Sequence, residues 1–164
     1  MKTDLLKKII EIGAIEYGDF TLRSGDKTNI YCNIKKVYGY PDLVFSLAGE
    51  LSKRISAGTT GLAVSGIGGI TLGTLVSHIT RLPLTIIRDK QKEYGSNDIF
   101  IGYRPTKKDL VCILDDVYTT GSSVAETKNS LLGTECSYSK TLVILNRSND
   151  KTVEALFDID QITA

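Results

Sequence analysis

The chain has 164 residues, of which 41% are hydrophobic and 24% are charged, and its formal net charge is +1. These values are typical of a folded globular domain, and the near-neutral charge gives no general attraction to nucleic acid or to an acidic membrane. No apolar run reaches the roughly 20 residues needed to cross a bilayer, and the charged opening MKTDLLKKII lacks the pattern of a secretory signal.

The cysteines and the histidine argue against a disulfide framework and against a zinc site. Cys32, Cys112 and Cys136 are odd in number and far apart, without a C-x-x-C pair. This pattern favours reduced thiols in a cytoplasm. His78 is the sole histidine, and a lone histidine is a poor basis for a metal site. We therefore expect a cytoplasmic protein.

The first third of the chain predicts helices around short extended segments. Apolar residues at helical spacing predict a helix over 3–15, and an i, i+4 stripe of apolar residues predicts another over 42–56. The pieces FTL and NIYCNI within 18–36 predict short strands around the turn-rich RSGDKTN. We expect residues 1–36 to contribute an N-terminal helix and a small element, termed the hood.

From residue 61 onward, strands and helices alternate. GLAVSG at 61–66 predicts a buried strand, and the next helix is predicted to begin near Gly69. The remaining predictions are strands at 82–88, 98–104, 110–114 and 139–145, an exposed loop at 89–98 and a helix over 121–132. Two of these strands are apolar throughout, as in a parallel sheet covered on both faces. The sequence predicts a single α/β domain over 1–164, with a mostly parallel twisted sheet and helices on both faces.

An acidic pair follows the apolar run LVCIL. Ligands of such sheets bind beyond the carboxyl ends of the strands, so Asp115 and Asp116 are expected at the ligand-binding edge. The residues that follow them lead into a helix N-terminus, where backbone N–H groups, hydroxyls and a flexible glycine favour a phosphate. They are Thr119, Thr120, Gly121, Ser122 and Ser123. Carboxylates beside a phosphate site suit sugar hydroxyls or waters on a magnesium ion, so we infer a phosphorylated sugar.

A purely structural alternative exists for the same residues. Asp115 and Asp116 could cap the following helix, with Thr-Thr-Gly as ordinary turn chemistry. Two adjacent carboxylates, with hydroxyl residues on both sides of a glycine, favour a site over this alternative.

The segment ILDDVYTTGSS at 113–123 resembles the phosphoribosyl-diphosphate signature of type I phosphoribosyltransferases. A dinucleotide fingerprint is excluded, because GIGGIT has Thr71 where the third glycine of G-x-G-x-x-G belongs. Four further segments, in the same order, resemble the orotate phosphoribosyltransferase family. They are FTLRSGDKTNIYCNIKKVYGYPDL at 20–43, SGIGGITLGT at 65–74, IRDKQKEYGSN at 87–97 and LVILNR at 142–147.

The resemblance implies a role for each matched residue in transferring phosphoribose to orotate. It implies that Lys92, Asp115 and Asp116 are catalytic. Phosphoribosyl diphosphate would be bound by Arg88, Lys92, Tyr94, Asp115, Asp116, Thr119, Thr120, Gly121, Ser122 and Ser123. Orotate would be bound by Arg23, Tyr31, Thr119 and Arg147. An arginine also suits orotate chemically, because a guanidinium forms charge-assisted hydrogen bonds with a carboxylate.

The resemblance further implies a Mg²⁺ ion and a homodimer. The ion would be held mainly through the substrate, with Asp115 and Asp116 acting via water, and the 88–97 loop would act across the dimer interface. Asp89 and Gly68 depart from the family pattern, since many members have lysine at these positions. Two alternatives remain open: a phosphoribosyltransferase for another nucleobase, and a non-catalytic regulator that senses phosphoribosyl diphosphate.

Overall fold

The computed structural model describes residues 2–21, 27–88, 98–148 and 150–163. The helices are α1 (Lys2–Glu11), α2 (Pro41–Ser52), α3 (Gly66–Thr80), α4 (Ser122–Leu132) and α5 (Asp160–Thr163), with a 3₁₀ helix at Ile34–Gly39. The strands are β1 (Ile15–Thr21), β2 (Lys27–Cys32), β3 (Gly61–Ser65), β4 (Leu84–Ile87), β5 (Phe100–Gly102), β6 (Leu110–Tyr118), β7 (Ser137–Asn146) and β8 (Val153–Asp158). The loop predicted at 89–98 and the turn predicted in RSGDKTN lie largely outside the described residues.

The main sheet has the order β5-β4-β3-β6-β7-β8. All neighbours in it pair in parallel except β5, which runs antiparallel to β4 at one edge. A separate antiparallel ribbon of β1 and β2 forms the hood. The predicted α/β fold, with a mostly parallel sheet, is therefore confirmed.

Side-chain alternation along the central strands places helices on both faces. Leu62 and Val64 of β3 pack in the core cluster that also contains residues of α1, α2 and α3. Ala63, between them, packs in a second cluster with Val124 and Leu131 of α4. A strand buried on both faces reads as a continuous apolar run, which explains GLAVS and LVCIL. None of the helices in the described ranges is long and apolar enough to cross a membrane.

Three helix boundaries differ from the predictions. The helix predicted over 3–15 ends at Glu11, because Gly13 adopts a φ of 68° and the chain then enters β1. The helix predicted over 42–56 ends at Ser52, although Ile55 still packs against the core. The helix predicted to begin near Gly69 starts at Gly66, because β3 passes directly into α3.

The last strands extend further than predicted. Strand β6 continues through the acidic pair to Tyr118, since β7 provides partners such as Val143 for Asp115. Strand β8 was not predicted, and it pairs in parallel with β7. Whereas α3 and α4 connect other parallel neighbours, the described part of the connection 147–152 forms a hydrogen-bonded turn. The Tyr118 hydroxyl, at the end of β6, donates to Asp150 Oδ2 of that turn at 2.7 Å.

Candidate active site

A cavity of about 350 Å³ opens beside the carboxyl end of β6. Its wall combines the end of the hood, the start of α3, the acidic pair with the following loop, and the residue after β7. The lining residues are Cys32, Asn33, Ile34, Lys35, Ser65, Gly66, Ile67, Gly68, Asp115, Asp116, Val117, Thr119, Ser123 and Arg147. Parallel strands deliver these side chains to one edge of the sheet, as expected for an α/β ligand site.

The two aspartates are fixed by their own backbone. The backbone N–H of Asp116 donates to Asp115 Oδ1 at 2.8 Å, and the N–H of Val117 donates to Asp116 Oδ1 at 3.0 Å. Lys35 Nζ lies 3.0 Å from Asp116 Oδ2, whose side chain is only 5% exposed. This contact is an ion pair without hydrogen-bond geometry, and among the described residues Asp116 Oδ2 has no hydrogen-bond partner. Buried oxygens of this kind are ready to accept a hydrogen bond from a ligand.

Glycine at position 68 makes room for the acidic pair. A Cβ added at Gly68 would overlap the Asp116 carboxylate. The Tyr38 hydroxyl donates to the Gly68 carbonyl at 2.7 Å and so fixes this turn of α3 from the hood side. The carboxylate therefore lies against the first turn of α3, where the helix dipole favours negative charge.

Burial of two neighbouring carboxylates changes their proton affinity. Burial, together with the charge of Asp116, raises the pKa of Asp115 to about 7, although the Asp116 N–H and Lys35 oppose the shift. Burial, followed by the charges of Asp116 and Asp115, raises the pKa of the Tyr38 hydroxyl above its usual value. Such shifts cluster at sites that bind cations or polar ligands.

The hydroxyl-rich loop connects β6 to α4. Gly121 has a φ of 77°, and a Cβ there would overlap the Tyr118 side chain beneath it, so only glycine fits without strain. Thr119 and Ser123 line the cavity, and the Thr120 hydroxyl donates to Ser122 Oγ at 3.2 Å. Since α4 begins at Ser122, this loop presents hydroxyls and helix N–H groups together, as an anion site requires.

Arg147 reaches the same cavity from the end of β7. Its backbone N–H donates to the Tyr118 carbonyl at 2.8 Å, which joins the β7 end to the loop of the acidic pair. Burial raises the pKa of the neighbouring Cys32 thiol, and the Arg147 charge opposes that shift. The cavity thus combines a guanidinium, two carboxylates and a phosphate-type loop.

Some of the predicted residues lie elsewhere. Tyr31 is not among the residues that line the cavity. Cys32 lines it instead, and the Tyr31 ring packs at a tilt against Phe20, with ring centroids 5.5 Å apart. Because side chains alternate along a strand, β2 cannot direct both residues the same way. Arg88 lines a separate cavity, which shares Ser65 with the first. Arg23, Lys92 and Tyr94 lie outside the described residues, and their roles stay predictions.

Two residues of the 3₁₀ helix Ile34–Gly39 contact the site and were not predicted. Lys35 and Tyr38 contact Asp116 and Gly68, which are far away in the sequence. The available signal was the pair of lysines, Lys35 and Lys36, directly after the predicted strand NIYCNI. That position alone does not indicate which residues a lysine will meet.

Comparison with known proteins identifies the family. No family model matches the chain. The orotate phosphoribosyltransferase of Methanosarcina acetivorans is 40% identical over 128 residues, which cover 76% of this chain and 67% of that protein. The orotate phosphoribosyltransferase of Methanocaldococcus jannaschii is 33% identical over 147 residues, covering 89% and 82%. The chain belongs to the orotate phosphoribosyltransferase family. The crystal structure of the orotate phosphoribosyltransferase from Aeropyrum pernix has the same fold, with a TM-score of 0.77 at 21% identity, covering 96% of this chain and 95% of that one.

Proposed function

We propose that this orotate phosphoribosyltransferase family member transfers the 5-phosphoribosyl group from phosphoribosyl diphosphate to orotate. The products are orotidine 5′-monophosphate and pyrophosphate, in the biosynthesis of UMP. The observation that carries this proposal is a single cavity that joins the acidic pair, the loop from Thr119 to Ser123, and Arg147.

The donor substrate fits the acidic pair and the hydroxyl-rich loop that follows it. Its 5′-phosphate would accept hydrogen bonds from the hydroxyls of Thr119 and Ser123 and from the N–H groups at the start of α4. Its ribose hydroxyls would donate to Asp115 and Asp116, which line the cavity. Both interactions leave the anomeric carbon, which carries the diphosphate, free to react.

The acceptor substrate fits Arg147. Orotate is an anion, and Arg147 is one of the two cationic side chains among the described residues that line the cavity. A neutral purine has no carboxylate to pair with a guanidinium. Thr119 lies on the same wall and would add a hydroxyl contact to the base.

In the reaction, the bond between the anomeric carbon and the pyrophosphate oxygen breaks, and a ring nitrogen of orotate bonds to that carbon. Positive charge develops on the ribose as the leaving group departs. The carboxylates of Asp115 and Asp116 would stabilise that charge, because they lie in a partly enclosed site with little solvent. Lys92 and Arg88 are proposed to contact the leaving pyrophosphate and to exclude water.

Magnesium fits the same site when it is carried by the substrate. The described residues include no group of three or more histidine, cysteine, aspartate or glutamate side chains that could hold a metal ion. The acidic pair, with the unbonded Asp116 Oδ2, suits waters of a hydrated ion better than direct ligation. When bound, the ion would supply positive charge to the diphosphate oxygens.

A homodimer in the cytoplasm completes the proposal. We propose that residues 88–97 act across the interface between two copies. Exposed apolar side chains support an interface: Ile67, which lines the cavity, is 77% exposed, and Ile101 on the edge strand β5 is 40% exposed. The cysteines are all unpaired, which is consistent with a reducing compartment.

A panel of bases tests the proposal. The purified chain, phosphoribosyl diphosphate and Mg²⁺ would be incubated separately with orotate, uracil, adenine, hypoxanthine and guanine, and the nucleotide products measured. We expect turnover of orotate and of no other base. Turnover of a purine would assign the chain to another base, whereas binding of phosphoribosyl diphosphate with no turnover of any base would indicate a sensor.

A further inference from the structure

Lys35 is held at the edge of the active-site cavity by the short helix that follows the hood. It lies in the 3₁₀ helix Ile34–Gly39, whose Ile34 and Val37 side chains are buried in the core. The hydrogen bond from Tyr38 to the Gly68 carbonyl ties the same short helix to α3. The Lys35 side chain remains 56% exposed, although its Nζ lies 3.0 Å from Asp116 Oδ2. The ammonium group is thus anchored beside the acidic pair and still accessible to a ligand.

The contact with Asp116 can be exchanged for another. Asp116 Oδ2 makes no hydrogen bond among the described residues, so the ion pair with Lys35 is its principal polar contact there. If ribose hydroxyls donate to this carboxylate, they satisfy the same oxygen. The ammonium group then becomes available to an anionic part of the substrate. An ion pair with a largely exposed lysine is easily exchanged in this way.

Charge balance indicates which part of the substrate this is. Lys35 and Arg147 are the cationic residues among the described ones that line the cavity. Arg147 follows β7 and is assigned to orotate, and the 5′-phosphate has the hydroxyls and N–H groups of the loop before α4. The diphosphate carries the largest negative charge of the donor. Of the two cations proposed above for it, Lys92 lies outside the described residues and Arg88 lines a separate cavity, so no cation that lines this cavity is yet assigned to it.

We propose that Lys35 binds the diphosphate of phosphoribosyl diphosphate, exchanging its ion pair with Asp116 for the substrate. This inference rests on the proposed function for the identity of the donor. The crowding at Gly68 agrees with this role. Since the Asp116 carboxylate leaves no room for a side chain at position 68 of α3, the cation comes from the 3₁₀ helix Ile34–Gly39 instead.

The test compares two ligands that differ only in the diphosphate. Binding of phosphoribosyl diphosphate and of ribose 5-phosphate would be measured by calorimetry with Mg²⁺, for the unmodified protein and for Lys35→Gln, Lys35→Arg and Lys36→Gln. Lys36 is a matched control, because its Nζ donates to the Gly13 carbonyl and to Glu16 Oε1, both at 2.7 Å, outside the cavity. Melting curves would verify that every variant is folded.

We expect Lys35→Gln to raise the Kd for phosphoribosyl diphosphate by roughly 10- to 100-fold, as for loss of a charge-assisted hydrogen bond, and to leave ribose 5-phosphate binding unchanged. Lys35→Arg should restore most of the affinity, and Lys36→Gln should bind both ligands normally. Unchanged binding of phosphoribosyl diphosphate by Lys35→Gln, or an equal loss for both ligands, would overturn the proposal. Failure of the proposed function is distinct, since it would appear as donor binding by the unmodified protein without orotate turnover.

Discussion

The carboxylate of Asp116 occupies the space that a side chain at position 68 would need, so the acidic pair depends on Gly68 of α3. The contact brings the start of one helix against a buried charge in the neighbouring strand β6. The need for glycine at position 68, in the first turn of α3, therefore follows from the position of a carboxylate of the site.

Gly68→Ala should therefore damage the site more than the fold. The added methyl group must displace the Asp116 carboxylate, and a displacement of about 1 Å at a reacting centre can cost roughly 100-fold in rate. Overpacking should also cost about 1 to 3 kcal/mol of unfolding free energy. Orotate turnover and chemical denaturation would be measured on the same preparation.

Gly49→Ala is the matched control for this substitution. Gly49 also lies in a helix, and nothing lies within 4 Å of a Cβ placed there. It should keep full activity and gain up to about 1 kcal/mol, because alanine favours helix more than glycine. Equal activity in Gly68→Ala and Gly49→Ala would contradict the contact between Gly68 and Asp116.

Asp115 should make stability depend on pH. Its pKa is about 7 in the folded protein against 3.8 for the ordinary group, so the folded form binds more protons between these values. The free energy of unfolding should then fall, through this group, as pH rises from about 4 to about 7. Asp115→Asn removes the effect, and the variant should melt a few degrees above the unmodified protein at pH 8, with little difference at pH 4.

The control for that experiment is Asp19→Asn, an exposed carboxylate of β1. Its melting temperature should stay close to that of the unmodified protein across the range. If Asp115→Asn melted lower than the unmodified protein at pH 8, the burial argument for Asp115 would be wrong.

How far the sequence predicted this site depended on the distance between the contacting residues. The acidic pair and its loop were predictable because ILDDVYTTGSS is local, with strand, carboxylates, hydroxyls and helix start in one stretch. The contacts of Lys35 with Asp116 and of Tyr38 with Gly68 join distant parts of the chain, and no local pattern encodes them. The orientation of Tyr31 was equally hard to read from the sequence, because only one of two adjacent strand residues can face the cavity and here that residue is Cys32.

The fold was likewise predictable where the pattern was local and unpredictable where it depended on distant contacts. Buried central strands were recognisable from apolar runs, and the alternation of strands and helices indicated a parallel sheet. Strand β8 was not predicted because VEALFD mixes charged and apolar residues, and its place in the sheet depends on pairing with β7. The extension of β6 to Tyr118 likewise depends on pairing with β7, not on the β6 sequence itself.

Asp109 should stabilise the end of the sheet opposite the active site, where β6 begins. Its carboxylate accepts hydrogen bonds from Thr60 Oγ1, the Tyr103 hydroxyl and both the N–H and the hydroxyl of Thr106, at 2.8 to 2.9 Å. Asp109→Ala leaves these donors without their acceptor and should cost on the order of 2 to 4 kcal/mol of unfolding free energy. Because this cluster lies at the start of β6, the kcat of the folded variant should be unchanged.

Asp98→Ala serves as the comparison for Asp109. Asp98 is an exposed carboxylate that accepts hydrogen bonds from Arg104 and from the Phe100 N–H. Water can replace those contacts, so its loss should destabilise the protein clearly less. Similar unfolding curves for the two variants would show that the Asp109 cluster is not a special anchor.

Mixing two inactive variants tests whether the 88–97 loop acts across a dimer. Asp116→Asn removes a carboxylate of the cavity, and Lys92→Ala removes the lysine predicted to act from the loop. If the loop completes the partner's site, a hybrid dimer contains one intact site, with Asp116 from one copy and Lys92 from the other. Refolded mixtures should then recover roughly a quarter of the activity, on statistical pairing with one active site in half of the dimers.

The controls are each variant refolded alone, which should stay inactive. No recovery in a mixture proven to contain hybrid dimers would place Lys92 in its own subunit's site. An active Lys92→Ala protein would remove the lysine from the mechanism altogether.

The stoichiometry of the reaction tests phosphoribosyl transfer to orotate most directly. Orotate, phosphoribosyl diphosphate and Mg²⁺ would be incubated with the purified chain, and all products measured by mass spectrometry together with released pyrophosphate. We expect equal amounts of orotidine 5′-monophosphate and pyrophosphate, with formation of both abolished or strongly reduced in Asp116→Asn. Pyrophosphate release without orotidine 5′-monophosphate, or no consumption of orotate at all, would contradict the assignment.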